Sequence, residues 1–192
     1  MTVPLSVVCL RYRAGSRLHL ESYSRAKVRH ATTMSSQFFR ANVGVVVARA
    51  DGRVLALERI DQPDRWQMPQ GGLDVGEEPA AASLRELQEE TGLRAEQVEL
   101  VAEHPDWLAY ELPPARRRER NGRGQVQKWF LYRFLGSDDD IDLTPARGER
   151  QEFRDFRWVD LGELAEEVWE VKRPIYRALA NEWQDRLEAW AD

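Results

Sequence analysis

Residues 79–91, PAAASLRELQEET, run from a proline that suits the first turn of a helix to Gly92, which suits its end. The segment therefore predicts a helix over 79–91. At about 100° per residue, Glu86, Glu89 and Glu90 fall within a sector of about 100°, while Ala80, Leu84, Leu87 and Thr91 gather on another side. Such a helix must lay its apolar side on a packing partner, and its other side concentrates three carboxylates. Like charges at that spacing repel and weaken an isolated helix. Clustered glutamates commonly mark a solvated face, but a divalent cation also offsets the repulsion. Hard ions such as Mg²⁺ prefer carboxylate oxygens and keep waters for a phosphate substrate. Arg85 borders the acidic side and can hold one glutamate by a forked hydrogen bond.

The packing partner is legible as strands. Asn42–Ala48 (NVGVVVA) is a β-branched run, Asp51-Gly52 a turn, and Val54–Glu58 (VLALE) a returning strand, which together predict a hairpin. Residues 65–73 are broken by Pro69, Gly71 and Gly72 and read as a loop or short strand. Further strands are expected at Val98–Glu103, Trp107–Tyr110, Lys128–Leu135 and Phe153–Val159, with an acidic turn at Ser137–Asp142. Leu161–Asp192 reads as helix in two pieces parted near Pro174, with Ile175, Leu179, Trp183, Leu187 and Trp190 recurring on one side. Strands interleaved with helices imply an α/β fold, a mixed sheet packed between helices, in one domain over residues 34–192.

Composition narrows the function. The chain has 192 residues, 42% of them hydrophobic and 32% charged, which suits one well-solvated domain with a core. No apolar run approaches the roughly 20 residues of a membrane helix. The lone Cys9 excludes an internal disulfide and a cysteine-based zinc site. These features suggest a cytoplasmic protein with no membrane partner. Residues 1–33 hold six bases and one acid, which leaves 22 bases and 32 acids in residues 34–192, a net charge of about −10 there. An acidic body argues against sequence-independent coating of nucleic acid, DNA included. Residues 1–33 form an N-terminal extension with no assigned chemistry. Their arginine-rich, acid-poor composition resembles a transit peptide, and Met34 offers an alternative true start.

The helix belongs to a longer pattern. Gly71, Glu77, Arg85, Glu86, Leu87, Glu89, Glu90, Gly92 and Leu93 satisfy G-x(5)-E-x(7)-R-E-U-x-E-E-x-G-U, with U apolar. With fixed residues at about 7% each, a chance match is on the order of 10⁻⁹ per start, so chance is not the explanation. This pattern is the signature of the Nudix hydrolases, which this chain resembles. The flanks FRANVG (39–44), WQMPQGG (66–72), DWLAYELP (106–113), QKWF (127–130), QEFRDFRWV (151–159) and VKRPIY (171–176) resemble one branch, the bacterial RNA pyrophosphohydrolases and the related dinucleoside polyphosphate hydrolases.

The resemblance implies an α/β/α sandwich around a mixed sheet and hydrolysis of a phosphoanhydride bond with Mg²⁺, or with Mn²⁺ or another divalent cation. By position, Glu86, Glu89 and Glu90 correspond to metal ligands, with the Gly71 carbonyl as a further one. Glu77 corresponds to the first motif glutamate, and Arg85 to the arginine that fixes the acidic side chains. Glu152 corresponds to an additional metal ligand or general base. Arg40 and Arg59 match positive positions near the phosphates, Lys172 a basic position near the first nucleotides, and Lys128 and Tyr110 positions at the rim. Val171 stands where the family often has a stacking aromatic, and Trp66 is expected to pack under the motif.

The implied reaction converts a 5′-triphosphate or 5′-diphosphate RNA end to a monophosphate, a step in mRNA decay. Two alternatives accompany it: asymmetric hydrolysis of diadenosine tetraphosphate, and an idle Nudix domain that binds RNA or a partner protein. An idle domain predicts a broken motif, whereas every acidic position here is intact. An activating protein partner is left open. Between Arg116 and Arg123 the segment RRRERNGR carries five arginines, read either as a solvated insertion or as an electrostatic guide for a polyanion.

Overall fold

The computed structural model describes residues 38–118, 121–145 and 150–191; the expectations for residues 1–33 lie outside them. Eight strands form one sheet: β1 (Phe39–Ala48), β2 (Val54–Arg59), β3 (Trp66–Gln67), β4 (Gln70–Gly72), β5 (Val98–Glu103), β6 (Leu108–Glu111), β7 (Gly124–Phe134) and β8 (Phe153–Val159). The helices are α1 (Pro79–Thr91), α2 (Leu161–Glu167) and α3 (Arg173–Ala191). None of the described helices is long and apolar enough to cross a membrane.

The central path runs β3-β2-β1-β7-β5, with β4 paired to β1, β6 to β7 and β8 to β2. The sheet is mixed because β1 and β7 run parallel from Phe39↔Gly124 to Ala48↔Arg133, whereas the other pairings are antiparallel. Val43 and Val45–Ala48 are fully buried because both faces of this strand are covered, and their continuous apolar run fits a central parallel strand. Alternate residues serve opposite layers. Val43, Val45 and Val47 pack with Leu55, Leu57, Phe130 and Leu87 of α1, while Val46 and Ala48 pack with Trp129, Leu131 and the α3 residues Ile175, Leu179, Trp183 and Leu187. The result is the expected α/β/α sandwich.

The non-β7 edge of β1 is shared, and this positions the site. Ala48 pairs with Val54 of β2 beside the hairpin turn, whereas Asn42, Val43 and Gly44 pair with Gly72, Gly71 and Gln70 of β4. The polypeptide just before α1 is thereby stitched into the sheet.

Helix α1 has the bounds the sequence predicts. Gly92 adopts φ 72°, and its N–H donates to Gln88 O. Its buried line, however, is Ala82, Ser83, Leu87 and Thr91, and Ala80 is exposed. A buried serine is tolerated because its hydroxyl meets both Ala80 O at 2.8 Å and Tyr132 Oη at 2.7 Å. The helix pair breaks near Pro174, as expected, between Glu167 and Arg173. Pro174 occupies the first turn of α3, where its missing N–H costs no hydrogen bond.

Candidate active site

A single guanidinium organises the acidic side of α1. Arg85 Nε and Nη2 donate to the two oxygens of Glu77, each at 2.8 Å, Nη1 donates to Glu86 Oε1 at 2.8 Å, and Nη2 also reaches Gly72 O at 2.8 Å. Glu89 lies at 3.3 Å from Nη1. The fork holds Glu77 down to about 2, first through these bonds and then through the Asp74 N–H. Glu86 goes the other way: burial foremost, then the neighbouring Glu89 charge, pushes its carboxyl up despite Arg85. Its oxygens lie against Gly71, where a Cβ would stand 1.7 Å from Glu86 Oε2. Only glycine lets the carboxylate rest directly on the backbone there.

Glu90 projects toward the sheet. It accepts a hydrogen bond from the Gln70 N–H at 2.9 Å. Burial raises its pKa well above the ordinary carboxylate value, with Glu86 and Glu152 adding repulsion and Lys172 opposing. Opposite it, a register shift between Glu58 and Arg59 leaves Arg154 bulged out of the β2–β8 ladder. Arg154 then grips the buried Glu58, with Nε to Oε2 at 2.8 Å, and Arg59 turns toward the acidic face. Arg59 reaches Asp61 at 2.7 Å and Glu152 at 3.5 Å. Glu89, Glu90, Arg150, Gln151, Glu152 and Phe153 line a cleft of about 300 Å³. Arg40 lies across Gly72, where a Cβ would be 2.4 Å from its Nη2.

A carboxylate helix, a glycine-cleared backbone and a rim of arginines around one cleft suit hydrolysis of a polyphosphate. Residues 38–179 match the NUDIX domain, which covers most of the chain. The chain belongs to the Nudix family. It is 44% identical over 153 residues to an RNA pyrophosphohydrolase of Cereibacter sphaeroides, covering 78% of this chain and 93% of that protein. It is 36% identical over 173 residues to Nudix hydrolase 26, chloroplastic, of Arabidopsis thaliana, covering 86% of this chain and 79% of that protein. Among solved structures, a C. elegans Ap4A hydrolase binary complex superposes with TM-score 0.57 at 22% identity, covering 76% of this chain and 98% of that one. The E. coli dihydroneopterin triphosphate pyrophosphohydrolase superposes with TM-score 0.58 at 23% identity, covering 74% of this chain and 97% of that one. At these identities the two structures speak to the Nudix fold alone.

The other expected site residues divide. Lys172 is buried beside the site, with Nζ donating to Gln67 Oε1 at 2.9 Å. Burial, with help from Arg59, pushes its ammonium down to about 7, and Glu90 opposes the shift. Tyr110 is buried within reach of the Arg59 charge and donates to Gln125 Oε1 at 2.7 Å. Lys128 is not brought to the site. Its Nζ is engaged by His104 O at 2.6 Å, Glu103 Oε1 at 2.7 Å and Pro105 O at 3.3 Å, so it braces the β5–β6 connection. Trp66 does not pack under the motif helix either. Its pairing with Glu58 puts it on the α2–α3 side, beneath the Arg157 guanidinium at 4.4 Å. Val171 is buried in that same core.

The sequence reading missed a layer of glutamines. Gln127 is fully buried, with Nε2 at 3.4 Å from both Gln70 Oε1 and Gln125 Oε1, and its own Oε1 lacks a partner among the described residues. The period-2 spacing in GQVQ was the available signal, since it puts both side chains on one face of β7.

The donor set fits a hard divalent cation: carboxylates on one face beside a bare glycine backbone. Raised pKa values at Glu86 and Glu90 fit as well, because a cation would offset the burial foremost, and the lesser repulsion, that opposes their ionisation. No three acidic, histidine or cysteine side chains among the described residues are gathered as a metal cluster. Arg85 draws Glu77, Glu86 and Glu89 toward itself, and Glu90 turns to Gln70.

Proposed function

We propose that this Nudix enzyme is an RNA 5′-pyrophosphohydrolase, which uses water to convert the 5′-triphosphate of a transcript to a 5′-monophosphate and releases pyrophosphate. A 5′-diphosphate end would give the monophosphate and phosphate. The observation that carries the reading is a complete, Arg85-braced motif in a chain 44% identical to an RNA pyrophosphohydrolase over 93% of that protein.

In this reading Glu86, Glu89, Glu90 and the Gly71 carbonyl hold Mg²⁺, with Glu152 as a further ligand or as the base that takes a proton from the attacking water. Bound Mg²⁺ or Mn²⁺ would neutralise phosphate charge and lower the pKa of a coordinated water. The chain's own work is positioning and charge stabilisation. Arg40 and Arg59 hold the phosphates, Arg59 from the end of β2 beside Glu152. Lys172 and Tyr110 line the approach of the first nucleotide. Glu58 and Arg154 set the Arg59 direction without touching substrate. In this reading the enzyme works in the cytoplasm on transcripts, whose monophosphate ends feed decay.

The test offers 5′-triphosphorylated RNA and diadenosine tetraphosphate together to the purified protein with Mg²⁺, and identifies products by mass. RNA monophosphate and pyrophosphate should dominate. ATP and AMP in their place would make the protein a dinucleotide-clearing hydrolase. Glu89→Gln and Glu90→Gln should each abolish most turnover without lowering the thermal midpoint. Full activity in either would remove that residue from the metal site.

A further inference from the structure

The arginine-rich connection between β6 and β7 takes no part in the chemistry above, and two of its arginines are internal fastenings. Arg117 Nη2 and Arg123 Nη2 meet the two oxygens of Glu111 at 3.1 and 2.6 Å, and Arg117 Nε donates to Leu112 O at 2.8 Å. The connection is also moored to the start of β1. The Arg123 N–H donates to Phe38 O at 2.7 Å. Gly122 adopts φ 69°, and a Cβ there would lie 2.4 Å from that carbonyl. So fastened, the loop turns Arg116 and Arg118 outward: both are exposed, Arg118 Nη1 donating to the carbonyls of Ala115 and Arg117 at 2.9 Å.

Aromatic surface lies between these charges and the motif. Phe38 is 51% exposed, and Phe39, next along the extended chain and so on its other face, is half-buried. Arg123 stands 6.0 Å over the Phe39 ring, and Arg40 follows, across Gly72. Val43 pairs with Gly71, so Phe39, four residues earlier on the same strand, is roughly 13 Å from the motif glycine at about 3.3 Å per residue. Gly122 bridges to Phe39 on one side and to Arg118 on the other, which sets Arg118 beyond β1 on the side away from β4, with Arg116 two residues earlier in the chain. Phosphates held at the motif would not also occupy this strip; a longer anion would.

Arginine forks suit phosphodiesters, and exposed aromatic rings accept unstacked bases without regard to sequence. We propose that the strip from Phe38 and Phe39 to Arg116 and Arg118 is a track for the single-stranded RNA that follows the 5′ end, which rests on the reading of this protein as an RNA hydrolase. The acidic body makes the track local. It holds one strand leaving the site, and its grip weakens with salt. The charge complements a polynucleotide and offers little to a dinucleotide already seated at the motif.

The experiment measures binding of a 12-nucleotide single-stranded RNA with a 5′-hydroxyl end to the full chain by fluorescence anisotropy, at several salt concentrations. The 5′-hydroxyl end removes any dependence on the reactive phosphates. Arg116→Ser with Arg118→Ser should weaken binding about 3- to 10-fold and reduce the salt slope by about 1.4, at about 0.7 per lost phosphate contact. Phe38→Ala should weaken binding with the slope unchanged, a split that a merely structural role would not produce. Arg94→Ser, which removes a charge from the turn after α1, should do neither. In turnover, the double variant should lose kcat/KM on a triphosphorylated 12-mer and keep it on a triphosphorylated dinucleotide. Unchanged binding and slope, or a parallel loss on both substrates, would overturn the track. So would equal binding of duplex RNA with Phe38→Ala neutral. Should the double variant not fold, Arg116→Ser alone carries the test, with half the change in slope. If the protein cleaves diadenosine tetraphosphate and no RNA, the proposed function fails, while the hydroxyl-ended 12-mer still decides the track.

Discussion

Arg85 shows how much one residue type can determine. Its guanidinium reaches Glu77, Glu86, Glu89 and Gly72 O together. Only a planar fork with five donors does this; an ammonium on a flexible stem cannot. Arg85→Lys should therefore keep the charge and lose the geometry. Partners that orient metal ligands are worth about 10- to 100-fold in metal affinity. We expect the Mg²⁺ concentration for half-maximal rate to rise by about that factor, with the helix content by circular dichroism unchanged. An unaltered Mg²⁺ requirement would reduce Arg85 to a surface brace. The same clamp predicts a pH dependence. Glu77 sits at about 2 in the fold against an ordinary 4.5, so the folded state favours its charged form. That contribution is complete above pH 4.5 and is lost as pH falls toward 2. Glu77→Gln should thus lower the thermal midpoint at pH 6, and the gap to wild type should close across that acid window. A constant gap at all pH values would mean that packing, not ionisation, is what the substitution removes.

At the scale of elements, two glycines on neighbouring strands do different jobs. A Cβ on Gly44 would stand 2.5 Å from the fully buried Trp129 ring, which has core on every side and cannot retreat. A Cβ on Gly71 would meet the end of the Glu86 side chain, which can swing away. Gly44→Ala should cost about 1–3 kcal/mol by overpacking, read as a lower denaturation midpoint, with little change in kcat for the molecules that remain folded. Gly71→Ala should leave stability nearly intact and cut kcat at least about 10-fold, because it displaces a carboxylate from the backbone it rests on. The two should therefore separate on a plot of stability against rate; if both fell along one line, Gly71 would be a folding residue. The contrast also explains which parts of this protein are legible in its sequence. Helix α1 and strand β8 have their expected bounds because proline, glycine and apolar alternation act locally. Strand β7 begins at Gly124, four residues before the expected start at Lys128, because ladder bonds to Phe39–Asn42 extend it through Gln125 and Gln127. Trp66 sits in a two-residue strand, too short for alternation to reveal its face, so its side is decided by the partner Glu58. Lys128 lies on a strand face the sequence can assign, but its three oxygen partners come from residues 103–105, and only the folded pairing brings those near.

For the whole molecule, the question is how much chain the fold and the reaction require. Both buried clusters are composed of residues between Val43 and Leu187 among those described, and the family match spans 38–179. The assigned site runs from Arg40 to Lys172, so the described core, the family match and the assigned site all begin after Met34. Those residues carry six bases and one acid, a charge that could assist RNA capture without touching catalysis. A chain begun at Met34 should therefore keep its thermal midpoint within about 2 °C of the full chain, because it retains every residue of the two described core clusters. Its kcat on a triphosphorylated dinucleotide should also match, since that substrate is held by the motif and its arginines. A 12-mer offers the sharper comparison. Equal kcat/KM at low and high salt would leave the β6–β7 track as the sole positive guide. A loss at low salt alone, restored at high salt, would give residues 1–33 a share in long-range attraction. A fall in the thermal midpoint or in dinucleotide turnover would mean that the domain begins before Met34, and the boundary argued from composition would move with it.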